Sequence, residues 1–126
     1  MIVYYSAGSG NTKKLAEKLD KTALSVNQYE HYYQDGLYPK FVLACPTYCG
    51  GTGYKAVPKP VIEFLNKHRQ HAVGVVGTGN TNFGASFCKA ADVISEKCGI
   101  PVIAKVEITG TKEDVILIKE KLSELF

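Results

Sequence analysis

No apolar run in the sequence approaches the ~20 residues that a membrane-spanning helix needs, so no membrane role is expected. No Cys-x-x-Cys pair exists. Cys45 and Cys49 stand four apart, but no second Cys/His pair follows at zinc spacing. His31, His68 and His71 are scattered, so no metal ion is expected. A dense Lys/Arg stripe and any helix-turn-helix or RNA-binding motif are missing, which argues against nucleic acid. Neither a Ser/His/Asp order nor a paired-carboxylate site is evident. Acids are also scarce mid-chain: residues 36–91 carry Glu63 alone against Lys40, Lys55, Lys59, Lys67, Arg69 and Lys89. A one-sided field of this kind can steer an acidic partner or an anionic ligand, although a solvated surface is the plainer reading of charge by itself.

What remains is an ordinary globular composition. The 126 residues are 45% apolar and 21% charged, which fits one domain over 1–126 with a core large enough to need no staples. Met1-Ile2-Val3-Tyr4-Tyr5 reads as a strand and not as a signal peptide. The expected compartment is therefore the cytoplasm, with Cys45, Cys49, Cys88 and Cys98 as reduced thiols. No large exposed apolar patch can be read, which favours a monomer.

Strand and helix periodicities alternate along the chain. Ile2–Ser6 reads as a buried strand, and Thr12, Leu15, Ala16 and Leu19 share one helical face. Thr22–Val26 is a weak second strand. Asn27–Pro39 is polar and Tyr-rich, broken by Asp35-Gly36, and is not assigned a helix. Phe41–Cys45 is a strand ended by Pro46. Val57, Val61, Phe64 and Leu65 recur at helical spacing, with Pro58 and Pro60 in the first turn. Ala72–Gly77 is a strand. Phe87, Ala90, Ala91, Ile94 and Cys98 form a helical stripe closed by Gly99. Pro101–Ile108 is the last strand. Thr111 opens a capping box on a helix with Val115, Ile118, Leu122 and Leu125 inward. Five strands and about four helices predict a doubly wound parallel α/β sheet of order 2-1-3-4-5, in three layers. Ligands bind such sheets outside the carboxyl ends of the strands, near the switch point between strands one and three.

Three loops converge on that edge. The first is Ser6-Ala7-Gly8-Ser9-Gly10-Asn11-Thr12. Its hydroxyls and the backbone N–H groups of a helix N-terminus suit a phosphate; an ordinary N-cap with a Gly turn is equally open. Lys13 occupies the third Gly position of a dinucleotide fingerprint, and no Gly-Lys-Ser/Thr follows. The second is Pro46-Thr47-Tyr48-Cys49-Gly50-Gly51-Thr52-Gly53-Tyr54, where Tyr48 can stack on a planar ring. Glycines there allow a peptide flip that presents either C=O or N–H. The third is Gly77-Thr78-Gly79-Asn80-Thr81-Asn82-Phe83-Gly84, whose asparagines offer donors and acceptors to a flavin edge. Glycine-rich polar loops without an acid–base set suggest that a cofactor carries the chemistry.

The first loop resembles the flavodoxin phosphate pattern Thr/Ser-x-Thr-Gly-x-Thr, here Ala7-Gly8-Ser9-Gly10-Asn11-Thr12. Ala7 replaces the expected hydroxyl, with Ser6 just before it. More specifically, Gly79-Asn80-Thr81-Asn82-Phe83-Gly84 and Ala91-Asp92-Val93-Ile94 resemble the NrdI family, flavodoxin-like proteins associated with class Ib ribonucleotide reductase. Cys98-Gly99-Ile100-Pro101, Gly110-Thr111 and Asp114 continue the match, as do Pro46, Tyr48, Gly50, Gly51 and Val57-Pro58. The resemblance is weakest over residues 20–40.

It implies a flavodoxin-like fold and an FMN flavoprotein serving deoxyribonucleotide synthesis as an accessory to the reductase. The reduced flavin would react with molecular oxygen. A superoxide-type oxidant would then pass to the radical (beta) subunit, where a dimanganese centre generates a tyrosyl radical. A flavin-reducing electron donor is a further implied partner. Ser6, Ser9, Asn11, Thr12 and the N–H groups of Gly8 and Gly10 would hold the phosphate. Pro46, Thr47 and Tyr48 would line the ring, with Gly50 and Gly51 adjusting near N5. Thr78, Gly79, Asn80, Asn82, Phe83 and Gly84 would hold the pyrimidine side.

The main alternative is a generic flavodoxin-type electron carrier, which commonly stabilises the one-electron reduced flavin and presents an acidic docking face. A short, mildly basic chain weighs against it. A receiver-like scaffold on the same fold needs clustered aspartates, and none stands at Ser6, Pro46 or Gly77. The shortage of acids over 36–91 spares an anionic reduced flavin like-charge repulsion. Lys55→Glu or Lys89→Glu is therefore expected to lower the second flavin reduction potential. A potentiometric titration at low salt that finds no shift counts against the idea.

Overall fold

The computed structural model describes residues 1–6, 10–33, 38–47, 56–80 and 87–126. Within them lie β1 (Ile2–Tyr4), α1 (Asn11–Leu19), β2 (Leu24–Ser25), α2 (Val26–Tyr32) and β3 (Phe41–Pro46). There follow α3 (Lys59–His68), a 3-10 turn (Arg69–His71), β4 (Ala72–Gly79), α4 (Lys89–Cys98), β5 (Val102–Glu107) and α5 (Lys112–Leu125). The strands form one parallel sheet in the order β2-β1-β3-β4-β5, as the alternation of periodicities predicts.

Side-chain alternation along the strands divides the core in two. Val3, Phe41, Leu43, Cys45 and Val75 face α2, α3 and α4, where Tyr29, Val61, Phe64 and Ile94 meet them. Ile2, Tyr4, Val42, Ala44 and Val76 face α1 and α5, packing on Leu15, Ala16, Leu19 and Ile118. Both faces of the sheet are covered in this way, so its central strands β1 and β3 are apolar and buried almost throughout. In α1 the buried residues are Thr12, Leu15, Ala16 and Leu19, the face expected from spacing.

Four expectations need correction. The segment after β2 does contain a helix. Ser25 Oγ accepts from Gln28 N at 3.1 Å and Gln28 Oε1 accepts from Ser25 N at 2.9 Å, a capping box that starts α2. Tertiary contacts then hold this short helix: Tyr29 is buried, donates its hydroxyl to Pro39 O at 2.7 Å, and stacks on Tyr38 at 5.4 Å. Next, Pro58 is the N-cap of α3, and only Pro60 lies inside the first turn. Phe87 precedes α4 instead of joining its stripe. Last, Leu125 is 40% exposed and not inward, while Ile118 of the same helix is buried.

Gly99 closes α4 in the left-handed conformation, φ 67°. Thr111 and Asp114 form the expected capping box on α5. His68 is buried at the end of α3, with Nε2 3.3 Å from Glu30 Oε2 and its ring 4.5 Å from Tyr38. No helix among the described residues is long and apolar enough to cross a membrane.

Candidate functional site

Parallel strands place every strand end on one edge, and the described candidate residues gather there. Ser6 follows β1, and its Oγ accepts from Lys13 N in the first turn of α1 at 3.3 Å. A hydroxyl that accepts in this way still has its own hydrogen to donate outward. Gly10, the N-cap, holds φ 71° and makes no side-chain cap. A Cβ added there would meet no atom of the described residues within 4 Å. Asn11 begins the helix. The first turn carries no acid and instead bears Lys13 and Lys14, cations at the positive end of the helix dipole. That arrangement disfavours an isolated helix and suits an anion.

Thr12 and Thr78 come together from 66 residues apart: their Oγ1 atoms lie 2.8 Å from each other, at 2% and 3% exposure. The pair pins the start of α1 to the end of β4. Replacing one member leaves a buried hydroxyl unpaired, a cost of about 1–3 kcal/mol, whereas replacing both is nearly neutral. Thr12→Val and Thr78→Val are each expected to lose about 2 kcal/mol, and the double variant less than either. Urea denaturation across the double-mutant cycle checks this.

Pro46 ends β3 and pairs in register with Thr78. Next to it, Thr47 Oγ1 accepts from Ala90 N at 3.0 Å. This hydroxyl therefore caps α4, whose own N-cap residue, Cys88, supplies no side-chain cap. The segment after β3 is thereby tied to the one that re-enters at α4. Thr78 and Gly79 lie within β4 instead of in a loop, and Asn80 follows directly. Strand glycines mark close approach. A Cβ on Gly77 would stand 2.9 Å from Ala91 Cβ and 3.0 Å from Cys88 Cβ; one on Gly79 would stand 3.2 Å from Cys88 N. These two glycines let the Cys88 turn seat directly on the strand.

Cys88 is thus a site-building residue that the sequence reading missed. The pattern Gly77-x-Gly79, two glycines on one strand face, is the signal that could have found it. Burial pushes its thiol up to about 11 and raises those of Cys45 and Cys98 as well. None of these three free thiols is a ready nucleophile at neutral pH. Gly8, Ser9, Tyr48, Gly50, Gly51, Asn82, Phe83 and Gly84, together with Cys49 and Lys55, lie outside the described residues.

The mid-chain cations do not form one field. Lys40 precedes β3, and Lys67 and Arg69 precede β4, which puts them at the opposite edge of the sheet. Lys59 and Lys89, the first residues of α3 and α4, stand at the candidate-site edge. The only acid of residues 36–91, Glu63, is exposed on α3.

A family model described as NrdI Flavodoxin like matches residues 3–120. Protein NrdI of Bartonella bacilliformis is 42% identical over 135 residues, covering 100% of this chain and 97% of that protein. Protein NrdI of Ruegeria sp. is 42% identical over 127 residues, covering 99% and 89%. Among solved structures, a short-chain flavodoxin associated with a non-canonical PDU bacterial microcompartment superposes with a TM-score of 0.67. Its identity is 19%, over 98% of this chain and 94% of that one, so it speaks to fold alone. Identity above 40% along the whole length, on a sheet of this order, places the chain in the NrdI flavodoxin-like family.

Proposed function

We propose that this protein binds FMN at the strand-end edge and activates the radical subunit of a class Ib ribonucleotide reductase. The observation that carries the cofactor is the start of α1: a left-handed glycine N-cap, a serine hydroxyl over the first turn, and lysines where acids would ordinarily sit. A phosphate monoester supplies the charge that this helix end lacks. In this reading, Ser6 donates its free hydroxyl hydrogen to the phosphate, and the first-turn N–H groups donate beside it. The Thr12 hydroxyl stays on Thr78 and holds the cradle against β4. Thr47, through Ala90, ties the end of β3 to the head of α4.

When bound, FMN supplies two-electron storage and reaction with oxygen, which yields a superoxide-type oxidant for a dimanganese-tyrosyl radical centre. The chain's own residues bind and orient the ring and bring no acid–base set of their own. Lys89 at the head of α4 favours a negatively charged ring nearby.

The test mixes the FMN-loaded, fully reduced protein with the manganese-loaded radical subunit from the same source and admits oxygen. Electron paramagnetic resonance then reads the tyrosyl radical, with free reduced FMN as the control. Radical formed only with the protein supports the proposal. Tight FMN binding with no radical, on a competent subunit, favours a generic electron carrier instead.

A further inference from the structure

Helices α3 and α4 lie side by side on one face of the sheet, and each turns one apolar residue past its core stripe toward the other. On α3, Val61, Phe64, Leu65 and His68 are buried, while Ile62 stands about 100° round the helix from Val61. On α4, Ala90, Ala91 and Ile94 are buried, and Val93 stands on the flank that faces Ile62. Ile62 and Val93 are only partly buried. Between them runs a groove of about 110 Å³, floored by Leu65, Ile94 and Cys98. One end of it is cationic. Asn66, Arg69 and Lys97 line that end, and no acid among the described residues lines the groove. Nor does any described carboxylate pair with Arg69. Burial raises the Cys98 thiol, against a smaller downward pull from the Arg69 guanidinium, so that cation stands within reach of the floor.

The other charges of these helices do not reverse that sign. Lys67 turns toward Glu30 of α2 at 3.9 Å, and Asp92 toward Lys105 of β5 at 2.7 Å. His68 and His71 pack on Tyr38. Lys59 and Lys89 are matched in number by Glu63 and Glu96, and none of the four lines the groove. Pockets for whole small molecules run to roughly 300–1,000 Å³, so this groove takes a single side chain. An apolar group and an anion must then arrive together. Neighbouring residues of an extended segment point to opposite faces, and the next on the same face lies about 7 Å along. A chain end carries both groups on one residue, and guanidinium and amide donors match its carboxylate. Arg69 precedes β4 and Lys97 lies in the last turn of α4, so the charged end is at the edge opposite the candidate site. A partner held there leaves the strand ends uncovered.

We infer that this groove docks the C-terminal residue of a partner polypeptide, its apolar side chain between Ile62 and Val93 and its carboxylate on Arg69. The inference stands apart from the function proposed above. The full chain, isotope-labelled for NMR, is titrated with acetylated Gly-Ser-Gly-Leu, with the same peptide as its C-terminal amide, and with octanoate. Backbone amide shifts are expected to saturate along α3 and α4 with a Kd on the order of 1 mM, since one residue brings few atoms. The amide peptide, and the acid peptide on Arg69→Gln, are each expected to bind about fivefold more weakly, the upper end for an exposed ion pair. Ile62→Glu, a carboxylate on the groove lip, is expected to abolish saturation, and Lys67→Gln, outside the groove, to change nothing. Melting temperatures check that each variant is folded. Arg69 is exposed, so its variant and the amide peptide decide the matter even where Ile62→Glu melts early. No saturable shift in wild type at tenfold the expected Kd overturns the inference. So do equal binding of acid and amide, unchanged binding in Arg69→Gln, and an equal loss in Lys67→Gln. Shifts centred on the head of α1 place the carboxylate at the phosphate cradle and overturn it too. Octanoate binding more tightly than the peptide makes the occupant a small amphiphile, and a dimer in sedimentation that Ile62→Glu dissolves makes it a second copy; either result overturns the inference.

Discussion

Ser6→Asp is expected to weaken FMN binding by more than 100-fold while leaving the ligand-free chain equally or slightly more stable. Ser6 Oγ already accepts from Lys13 N at the head of α1. A carboxylate in its place accepts the same bond and adds a negative charge at the positive end of the helix dipole, a gain of about 0.3–1 kcal/mol. The same charge then opposes the phosphate. At ~5 Å and an effective dielectric of ~20, each pair of unit charges costs about 3 kcal/mol, and a phosphate monoester carries between one and two. Fluorescence titration with FMN and thermal melting of the ligand-free protein check the two halves. Ser6→Ala removes only a hydrogen bond and should weaken FMN several-fold. An aspartate variant that binds FMN like wild type would place the phosphate elsewhere.

Gly77→Val is expected to destabilise the fold by about 3 kcal/mol, the upper end for overpacking a filled site. The atoms in its way are Ala91 Cβ at 2.9 Å and Cys88 Cβ at 3.0 Å, each one bond from backbone. Neither can swing aside, so α4 itself must lift from β4. Because Thr47 caps that helix, the lift carries over to the segment after β3. Gly74→Ala makes a useful contrast: its added Cβ would meet the end of the Ile103 side chain, which can rotate. Urea unfolding followed by circular dichroism should rank Gly77→Val well below Gly74→Ala. Equal losses would mean that the seating of α4 does not depend on the missing side chain.

The fold was legible wherever periodicity ran long enough to be counted. The buried face of α1 follows directly from Thr12, Leu15, Ala16 and Leu19, because a helix against a sheet buries one stripe. The parallel, doubly covered sheet follows from alternating elements, and its order matches the flavodoxin-like one. The helix α2 escaped because most of its residues, Val26, Asn27, His31 and two tyrosines, are weak helix formers and its length is only 7 residues. Its capping signal, Ser25-x-x-Gln28, was present in the sequence and went unread. Leu125 was misplaced because helical spacing alone does not say how far along a helix its apolar stripe stays covered.

At the candidate site the sequence marked residue types and left out pairings. Thr12 and Thr78 each stood out as a hydroxyl for a ligand, yet they face one another across 66 residues. Thr47 could not be matched to the amide of Ala90, since nothing local joins them. Gly79 reads as a loop glycine beside Asn80, while in three dimensions it completes a strand.

The two borders of the sheet have a consequence for how the protein keeps at high concentration. Unpaired strand borders invite other chains to add on and grow into ribbons. On one side β2 offers only Leu24 and Ser25, too little backbone to template a neighbour. On the other, β5 sets exposed Lys105 and Glu107 along its outer half, and an incoming strand would have to bury both. A five-stranded parallel sheet with one truncated border and one charged border resists fibrillar self-addition by its own outline.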